Sequence, residues 1–123
     1  MRVKDIAWLA GLLEGEGNFI SDPKGSLARI KLEMKDRDIV DRAAGLLGAK
    51  SVNSSKKKNP RHNTTYVCYV CGKQAAGWML TLYSFLGKRR RRQVKRVILD
   101  WLNADVSRYA LMEERGIRQR GRG

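Results

Sequence analysis

Two acidic residues at the end of a predicted helix are the residues of this sequence best suited to chemistry. Residues 8–19 read WLAGLLEGEGNF, and we predict a helix that begins near Lys4 or Asp5 and ends near Leu13 or Glu14, so that Glu14 and Glu16 lie at its C-terminal end. Carboxylates at the C-terminal end of a helix oppose its dipole, at a cost of about 0.3–1 kcal/mol each. Clustered carboxylates require raised pKa values or a cation between them, and a hard divalent ion such as Mg²⁺ meets that requirement.

One face of the same predicted helix carries almost no side chains. Ala7, Gly11 and Gly15 recur every four residues and therefore lie one above another. A glycine inside a helix costs about 1 kcal/mol relative to alanine, and close approach of a second backbone is one reason to keep it. Two such helices packed through this face would bring their acidic ends together. We expect Ala7, Ala10, Gly11 and Gly15 to form a dimer interface.

The stretch Leu9–Gly17, LAGLLEGEG, resembles the signature of the LAGLIDADG homing endonucleases. The resemblance implies an α+β fold with the element order αββαββα in a single domain over residues 1–103. Its antiparallel, four-stranded sheet would form a saddle on the DNA. Because the signature occurs once, the resemblance also implies a homodimer.

The activity that this resemblance implies is site-specific cleavage of both strands of duplex DNA. Phosphodiester hydrolysis would depend on Mg²⁺, which Mn²⁺ can replace, at a long and roughly palindromic target. Glu16, the last acid of the signature, would bind the metal and act in catalysis, whereas Glu14 would cap or orient, with a metal contact as its second interpretation. Two basic residues after the third helix, Lys88 and Arg89, would lie near the scissile phosphate. Lys88 is the first choice because an ammonium group can relay a proton and a guanidinium cannot.

The charge balance of the chain implies an anionic partner. Lysine and arginine number 26 against 12 acidic residues, which gives a formal net charge of +14. The positive side chains repel one another in a compact monomer, and an anionic partner would reduce this repulsion. We therefore expect nucleic acid as the partner, with an anionic membrane surface as the second candidate. No apolar run approaches the roughly 20 residues that cross a bilayer, and no signal peptide is evident. We expect an intracellular location in the cytoplasm, the nucleoid or an organelle.

Alternating residues predict the sheet that would face the nucleic acid. In 26–35, apolar residues at even positions alternate with a mostly basic set at odd positions, after an earlier strand at 18–21 and a turn at 22–25. Further along we expect a helix at 37–47, strands at 50–55 and 64–71, a helix at 74–85 with Trp78 and Phe85 in the core, and a helix that starts with the cations of 88–92. The residues predicted to contact DNA are Asn18, Arg29, Lys31, Glu33, Lys35, Lys56, Lys57, Lys58, Arg61, Arg90 and Arg91.

Other features of the sequence have simpler interpretations. Cys68 and Cys71 form a C-x-x-C without a second pair, and His62 is the only histidine. In a strand, positions three apart face opposite sides, so we expect two small, buried or half-buried residues rather than a metal site. We predict that the basic extension at 104–123 is partly mobile and contacts phosphates.

Two other functions are compatible with this sequence. The first is a nucleic-acid binder of the same fold that does not cut, either an intron RNA maturase or a DNA-binding regulator. The second is a small basic RNA-binding protein of ribosomal character, in which the resemblance is coincidental. Dependence of cleavage on a divalent ion separates the endonuclease from both.

Overall fold

A computed structural model of the protein describes residues 2–22, 27–55 and 64–114, with side chains through residue 104. The elements in chain order are α1 (Val3–Glu16), β1 (Gly17–Ser21), β2 (Ala28–Met34), α2 (Arg37–Leu47), β3 (Asn53–Ser55), β4 (Thr65–Cys71), α3 (Gly72–Leu82), a 3₁₀ turn (Tyr83–Phe85) and α4 (Lys88–Glu114). The strands form one antiparallel, four-stranded sheet with the order β1-β2-β4-β3. This confirms the predicted αββαββα order.

The core lies between the helices and one face of the sheet. Ala28, Ile30 and Leu32 of β2 are fully buried, whereas the residues between them are partly accessible, which confirms the predicted alternation. Leu9 and Leu13 of α1 join the same apolar cluster, together with buried residues of the other three helices. The helices therefore occupy one side of the sheet, and β2 presents its basic side chains on the other side.

Side chains from α3 fix the end of α2. Gly48 has a φ of +76°, a conformation that favours glycine, and its N–H donates to the carbonyl of Ala44. Gln74 Nε2 and Trp78 Nε1 donate to the carbonyl of Leu47 at 2.8 and 3.1 Å. These bonds satisfy a helix-terminal carbonyl that would otherwise lack a partner. Trp78 is half-buried against the core, as predicted.

Several element boundaries differ from the sequence prediction. Helix α1 continues to Glu16 instead of ending near Glu14, and β3 is shorter than predicted. Phe85 is 47% exposed and does not belong to the core, because it lies in the 3₁₀ turn, where the helical spacing of α3 is lost. Helix α4 continues past residue 103, since neither glycine nor proline interrupts 88–114.

Some of the predicted segments lie outside the described residues. These are most of the turn at 22–25, the basic loop at 56–63 with Lys56, Lys57, Lys58 and Arg61, and the end of the extension at 115–123.

The two cysteines are free thiols on opposite sides of β4: Cys68 is buried, and Cys71 is exposed, contrary to the prediction that both are at least half-buried. Within the described part of the chain, no helix combines the length and the apolar character that crossing a membrane requires.

Candidate active site and nucleic-acid interface

The two acids of the signature have different environments, and Glu14 is engaged within the chain. Its Oε1 accepts a hydrogen bond from the N–H of Gly87 at 2.7 Å. Gly87 immediately precedes α4, and its carbonyl accepts the N–H of Arg91 at 2.9 Å, so it occupies the N-cap position of that helix. A carboxylate there stabilises the positive end of the helix dipole. Glu14 thus caps α4, which agrees with the capping role inferred from the sequence.

Glu16, in contrast, has an exposed side chain at the last position of α1. Among the residues that the structure describes, it has no hydrogen-bond or ion-pair partner. The neighbouring Gly15 is also exposed, and a Cβ built on it would meet no atom within 4 Å. A cation or a phosphate could therefore approach the Glu16 carboxylate closely.

The donor set of one chain fits Mg²⁺ only in part. In the described ranges, no group of three or more histidine, cysteine, aspartate or glutamate residues comes close enough to hold a metal. Mg²⁺ takes one or two carboxylates in addition to waters and phosphate oxygens. Glu16 supplies one hard oxygen ligand of the required kind. A second copy of the chain and a nucleic-acid phosphate would have to supply the others.

Arg90, which the sequence predicts to contact DNA, is enclosed beside these acids. Its side chain is 6% exposed, with Nε donating to the carbonyl of Glu14 at 2.8 Å and Nη1 donating to Gln93 Oε1 at 2.8 Å. The guanidinium carbon lies 5.8 Å from the centre of the Phe19 ring. Burial, together with the nearby Arg89, lowers the pKa of Arg90, and Glu14 opposes this shift. Arg90 is turned inward because the C-terminal end of α1 offers it a carbonyl acceptor.

The other cations of the run at 88–92 are accessible to different degrees. Lys88, Arg89 and Arg92 are exposed on the first turns of α4. Arg91 is half-buried: its Nη2 donates to the carbonyl of Ser84 at 3.1 Å, and its guanidinium lies over the Tyr83 ring. Since Gly87 contacts Glu14, Lys88 and Arg89 lie at the same end of the molecule as the signature acids. Their catalytic role and the DNA contact of Arg91 stay predictions.

The outer face of α1 is bare, as its sequence predicts, but Ala10 does not belong to it. Ala7, Gly11 and Gly15 are exposed, and a Cβ on Gly11 would meet no atom within 4 Å. Ala10 is 1% exposed and packs in the core with Leu9, so its assignment to a dimer interface is wrong. Successive helical residues are about 100° apart, and this rotation directs Ala10 inward. Ala7, Gly11 and Gly15 remain as the predicted interface.

The side of the sheet opposite the helices combines cations with an aromatic ring. Lys31 pairs with Asn18 of β1 and with Tyr69 of β4, so these three side chains share one face. The guanidinium carbon of Arg29 lies 5.5 Å from the centre of the Tyr69 ring, which is half exposed. Tyr69 was not among the predicted site residues, although the alternation of β4 places it on this face.

A carboxylate links two strands on the same face. Glu33 Oε1 lies 3.7 Å from Lys31 Nζ, and Glu33 Oε2 accepts a hydrogen bond from Thr65 Oγ1 at 2.5 Å. Lys35 follows the end of β2 and is exposed. The structure thus brings Asn18, Arg29, Lys31 and Glu33 together, as the sequence predicted, and shows that Glu33 is already engaged with protein groups. We define the sheet face as Asn18, Arg29, Lys31, Glu33 and Tyr69.

Comparison with known proteins identifies the family of this chain. A family model described as a LAGLIDADG-like domain matches residues 4–98, which include the signature with its two acids, Glu14 and Glu16. The chain belongs to the LAGLIDADG family. The family match contradicts the alternative of a coincidental resemblance in a ribosomal-type protein. No relative among curated proteins matches the sequence.

A solved structure supports the fold of this chain. The homing endonuclease I-CvuI, in complex with the I-CreI target in the presence of 2 mM Mg with the DNA not cleaved, matches with a TM-score of 0.62 at 18% identity. The match covers 91% of this chain and 78% of that chain. The archaeal intron-encoded homing endonuclease I-Vdi141I, complexed with DNA, has a TM-score of 0.47 at 19% identity and covers 83% of this chain and 67% of its own. The match to I-CvuI agrees with the order of helices and strands described above.

Proposed function

We propose that this LAGLIDADG domain is a homodimeric, site-specific DNA endonuclease that hydrolyses both strands of its target with Mg²⁺, or with Mn²⁺ in its place. One observation carries the proposal: Glu16 is unpartnered within the described residues, at the end of a helix with a bare outer face, whereas Glu14 is engaged in capping α4. Of the two signature acids, one chain therefore offers one available carboxylate. Two chains paired through Ala7, Gly11 and Gly15 would place two such carboxylates together.

Each group in this region would have a separate task. Glu16 of each subunit would hold the metal, which when bound supplies Lewis-acid stabilisation and lowers the pKa of a bound water. Lys88 and Arg89 would stabilise negative charge on the scissile phosphate, as preorganised cations do in other sites. Lys88 can also relay a proton through water, because an ammonium group can deprotonate. Glu14 fixes the start of α4 and thereby the position of both cations.

The sheet face would recognise the duplex. A twisted antiparallel sheet presents side chains at alternate positions, and the major groove of B-DNA exposes a distinct donor and acceptor pattern for each base pair. Arg29, Lys31 and Tyr69 lie at the centre of the sheet, since β2 and β4 are its inner strands. They are therefore suited to contact base edges, while Lys88 and Arg89 on α4 are suited to contact phosphates.

Selection from a random duplex library tests this function against its non-cleaving alternative. The homodimer is incubated with the library and Mg²⁺, and in parallel with EDTA, before both cut and bound molecules are sequenced. We expect cut sequences with two symmetric half-sites that appear only in the presence of the metal. Enrichment of bound but intact duplexes would instead indicate a DNA-binding regulator. Preferential retention of structured RNA by the same protein would indicate a maturase, and no enrichment would overturn the proposal.

The exposed thiol of Cys71, on the same side of the sheet as Arg29, provides a second prediction. Cys71 pairs with Arg29 across the sheet and is exposed, whereas Cys68 is buried and its pKa is raised by burial and by Asp41. A neutral, buried thiol reacts slowly because the thiolate is the nucleophile. We expect one fast-reacting thiol in the free protein and its protection by bound duplex, measured by mass spectrometry after alkylation. The variant Cys71→Ser should have no fast thiol, and unaltered alkylation of Cys71 in the complex would argue against DNA on this face.

A further inference from the structure

We propose that Arg90 is a positioning residue that fixes the backbone on both sides of Glu16 and does not bind DNA. The inference rests on the proposed function, because it assigns Glu16 a task that depends on its orientation. Arg90 lies in a run of five cations that the sequence presents as equivalent. The structure distinguishes it from the other members of the run, since only Arg90 among them is buried.

The contacts of Arg90 bracket Glu16 along the chain. Its Nε donates to the carbonyl of Glu14, two residues before Glu16, at 2.8 Å. Its guanidinium carbon lies 5.8 Å from the centre of the Phe19 ring, three residues after Glu16. Gln93, one turn further along α4, accepts from Nη1 at 2.8 Å and holds the guanidinium in this place. One side chain thus connects the last turn of α1, the start of β1 and α4.

The end of α1 needs such a support because its own sequence is flexible. Glu16 stands between Gly15 and Gly17, and glycine loses more conformational freedom on folding than any other residue. No described side chain forms a hydrogen bond or an ion pair with the Glu16 carboxylate to hold it. A charged donor on a helix-terminal carbonyl makes a stronger bond than a neutral donor, and a cation there also complements the dipole. Arg90 supplies both the charged donor and the cation at the carbonyl of Glu14, two residues before the Glu16 carboxylate that would bind the metal.

The bond between Glu14 and Gly87 completes a reciprocal arrangement of the two helices. The Glu14 carboxylate accepts the N–H of Gly87 before α4, and Arg90 of α4 donates to the carbonyl of Glu14 in α1. Each helix end therefore satisfies a polar group of the other. The position of Glu16 relative to the cations Lys88 and Arg89 is set by this pair of bonds.

A matched pair of variants, Arg90→Gln and Arg92→Gln, separates the positioning role from DNA binding. Arg92 is an exposed cation of the same run, so its loss should reduce the slope of log K against log salt by about 1, measured in EDTA. Arg90→Gln should leave that slope unchanged, because an enclosed cation displaces no counterion from DNA. It should instead raise the Mg²⁺ concentration for half-maximal cleavage by roughly 10-fold or more, as the loss of groups that orient metal ligands does. Arg92→Gln should not change the Mg²⁺ requirement.

Hydrogen exchange of the free protein gives a readout that needs neither metal nor cleavage. The N–H of Gly17 is bonded to the carbonyl of Leu13 at the end of α1. We expect this amide to exchange faster in Arg90→Gln than in the wild type, and at the wild-type rate in Arg92→Gln. If Arg90→Gln does not fold, Arg90→Lys replaces it: the shorter reach of a single ammonium group should give the same direction of change, with a smaller size.

The outcomes distinguish this inference from the proposed function. Two results would overturn the positioning role alone. The first is a salt slope that is smaller by about 1 in Arg90→Gln than in the wild type. The second is that Arg90→Gln changes neither the exchange of the Gly17 amide nor the Mg²⁺ requirement. Absence of cleavage by the wild type at any selected target would overturn the proposed function. Faster exchange at Gly17 in that case would still support Arg90 as the residue that fixes the end of α1.

Discussion

We expect Glu16→Gln to remove nearly all of the proposed Mg²⁺-dependent cleavage and to leave DNA binding intact, which is the largest effect expected of a single substitution. Glutamine keeps the size and one carbonyl oxygen of the side chain but loses the charge that a hard cation requires. We expect the cleavage rate to fall on the order of 10³-fold, as removal of an electrostatic group from a reaction site does. Folding should not change, because no described residue depends on the Glu16 side chain.

The measurement combines single-turnover nicking with DNA affinity in EDTA. Glu14→Gln is the matched control, since the glutamine Oε1 can still accept the N–H of Gly87. We expect this variant to lose much less activity than Glu16→Gln while it binds DNA normally. Cleavage by Glu16→Gln at the wild-type rate would remove Glu16 from the mechanism, and equal losses in both variants would contradict the division of tasks between the two acids.

We expect Gly11→Leu to weaken the proposed homodimer without unfolding the subunit. Within one chain, a Cβ on Gly11 would meet no atom within 4 Å, so leucine is accommodated there and also improves the helix propensity by up to about 1 kcal/mol. Between two chains packed through this face, the same side chain would separate the helices. Overpacking costs about 1–3 kcal/mol, which corresponds to a dimer dissociation constant raised by roughly 5- to 150-fold.

Sedimentation velocity over a concentration series measures this change, and thermal unfolding confirms that the subunit stays folded. Gly45→Leu is the control, because Gly45 is an exposed glycine of α2 at which a Cβ also meets no atom within 4 Å. It should leave the dimer unchanged. A Gly11→Leu protein that sediments as a dimer with the wild-type dissociation constant would argue that the subunits do not pair through the bare face of α1.

Most of the fold could be predicted from the sequence because its signals are local. The alternation in β2, the glycine at the end of α2 and the acid pair after a glycine-lined helix each depend on neighbouring residues. The LAGLIDADG signature then gives the order of the elements. The length of α4 could also have been predicted, since its sequence contains no helix-breaking residue.

The errors concern side chains whose direction depends on tertiary contacts. Arg90 and Arg92 are the same residue type in the same run, but Arg90 lies one turn before the buried Val94 on the inward face of α4, where the Glu14 carbonyl accepts its Nε. Ala10 and Gly11 are both small and adjacent, so residue type alone does not determine which of them faces the core. Phe85 follows the apolar spacing of α3, but the 3₁₀ turn rotates it towards solvent.

The position of Glu33 on the sheet face has a consequence for changing the target of this protein. Its carboxylate contacts both Lys31 and Thr65, so these three positions act as one unit. Neighbouring residues that share a partner give non-additive effects when they are replaced. A substitution of Lys31 alone would remove its ion pair with Glu33 and change the side chain presented to the proposed duplex, so its effect on recognition would combine both changes. Libraries for retargeting should therefore randomise the three codons together.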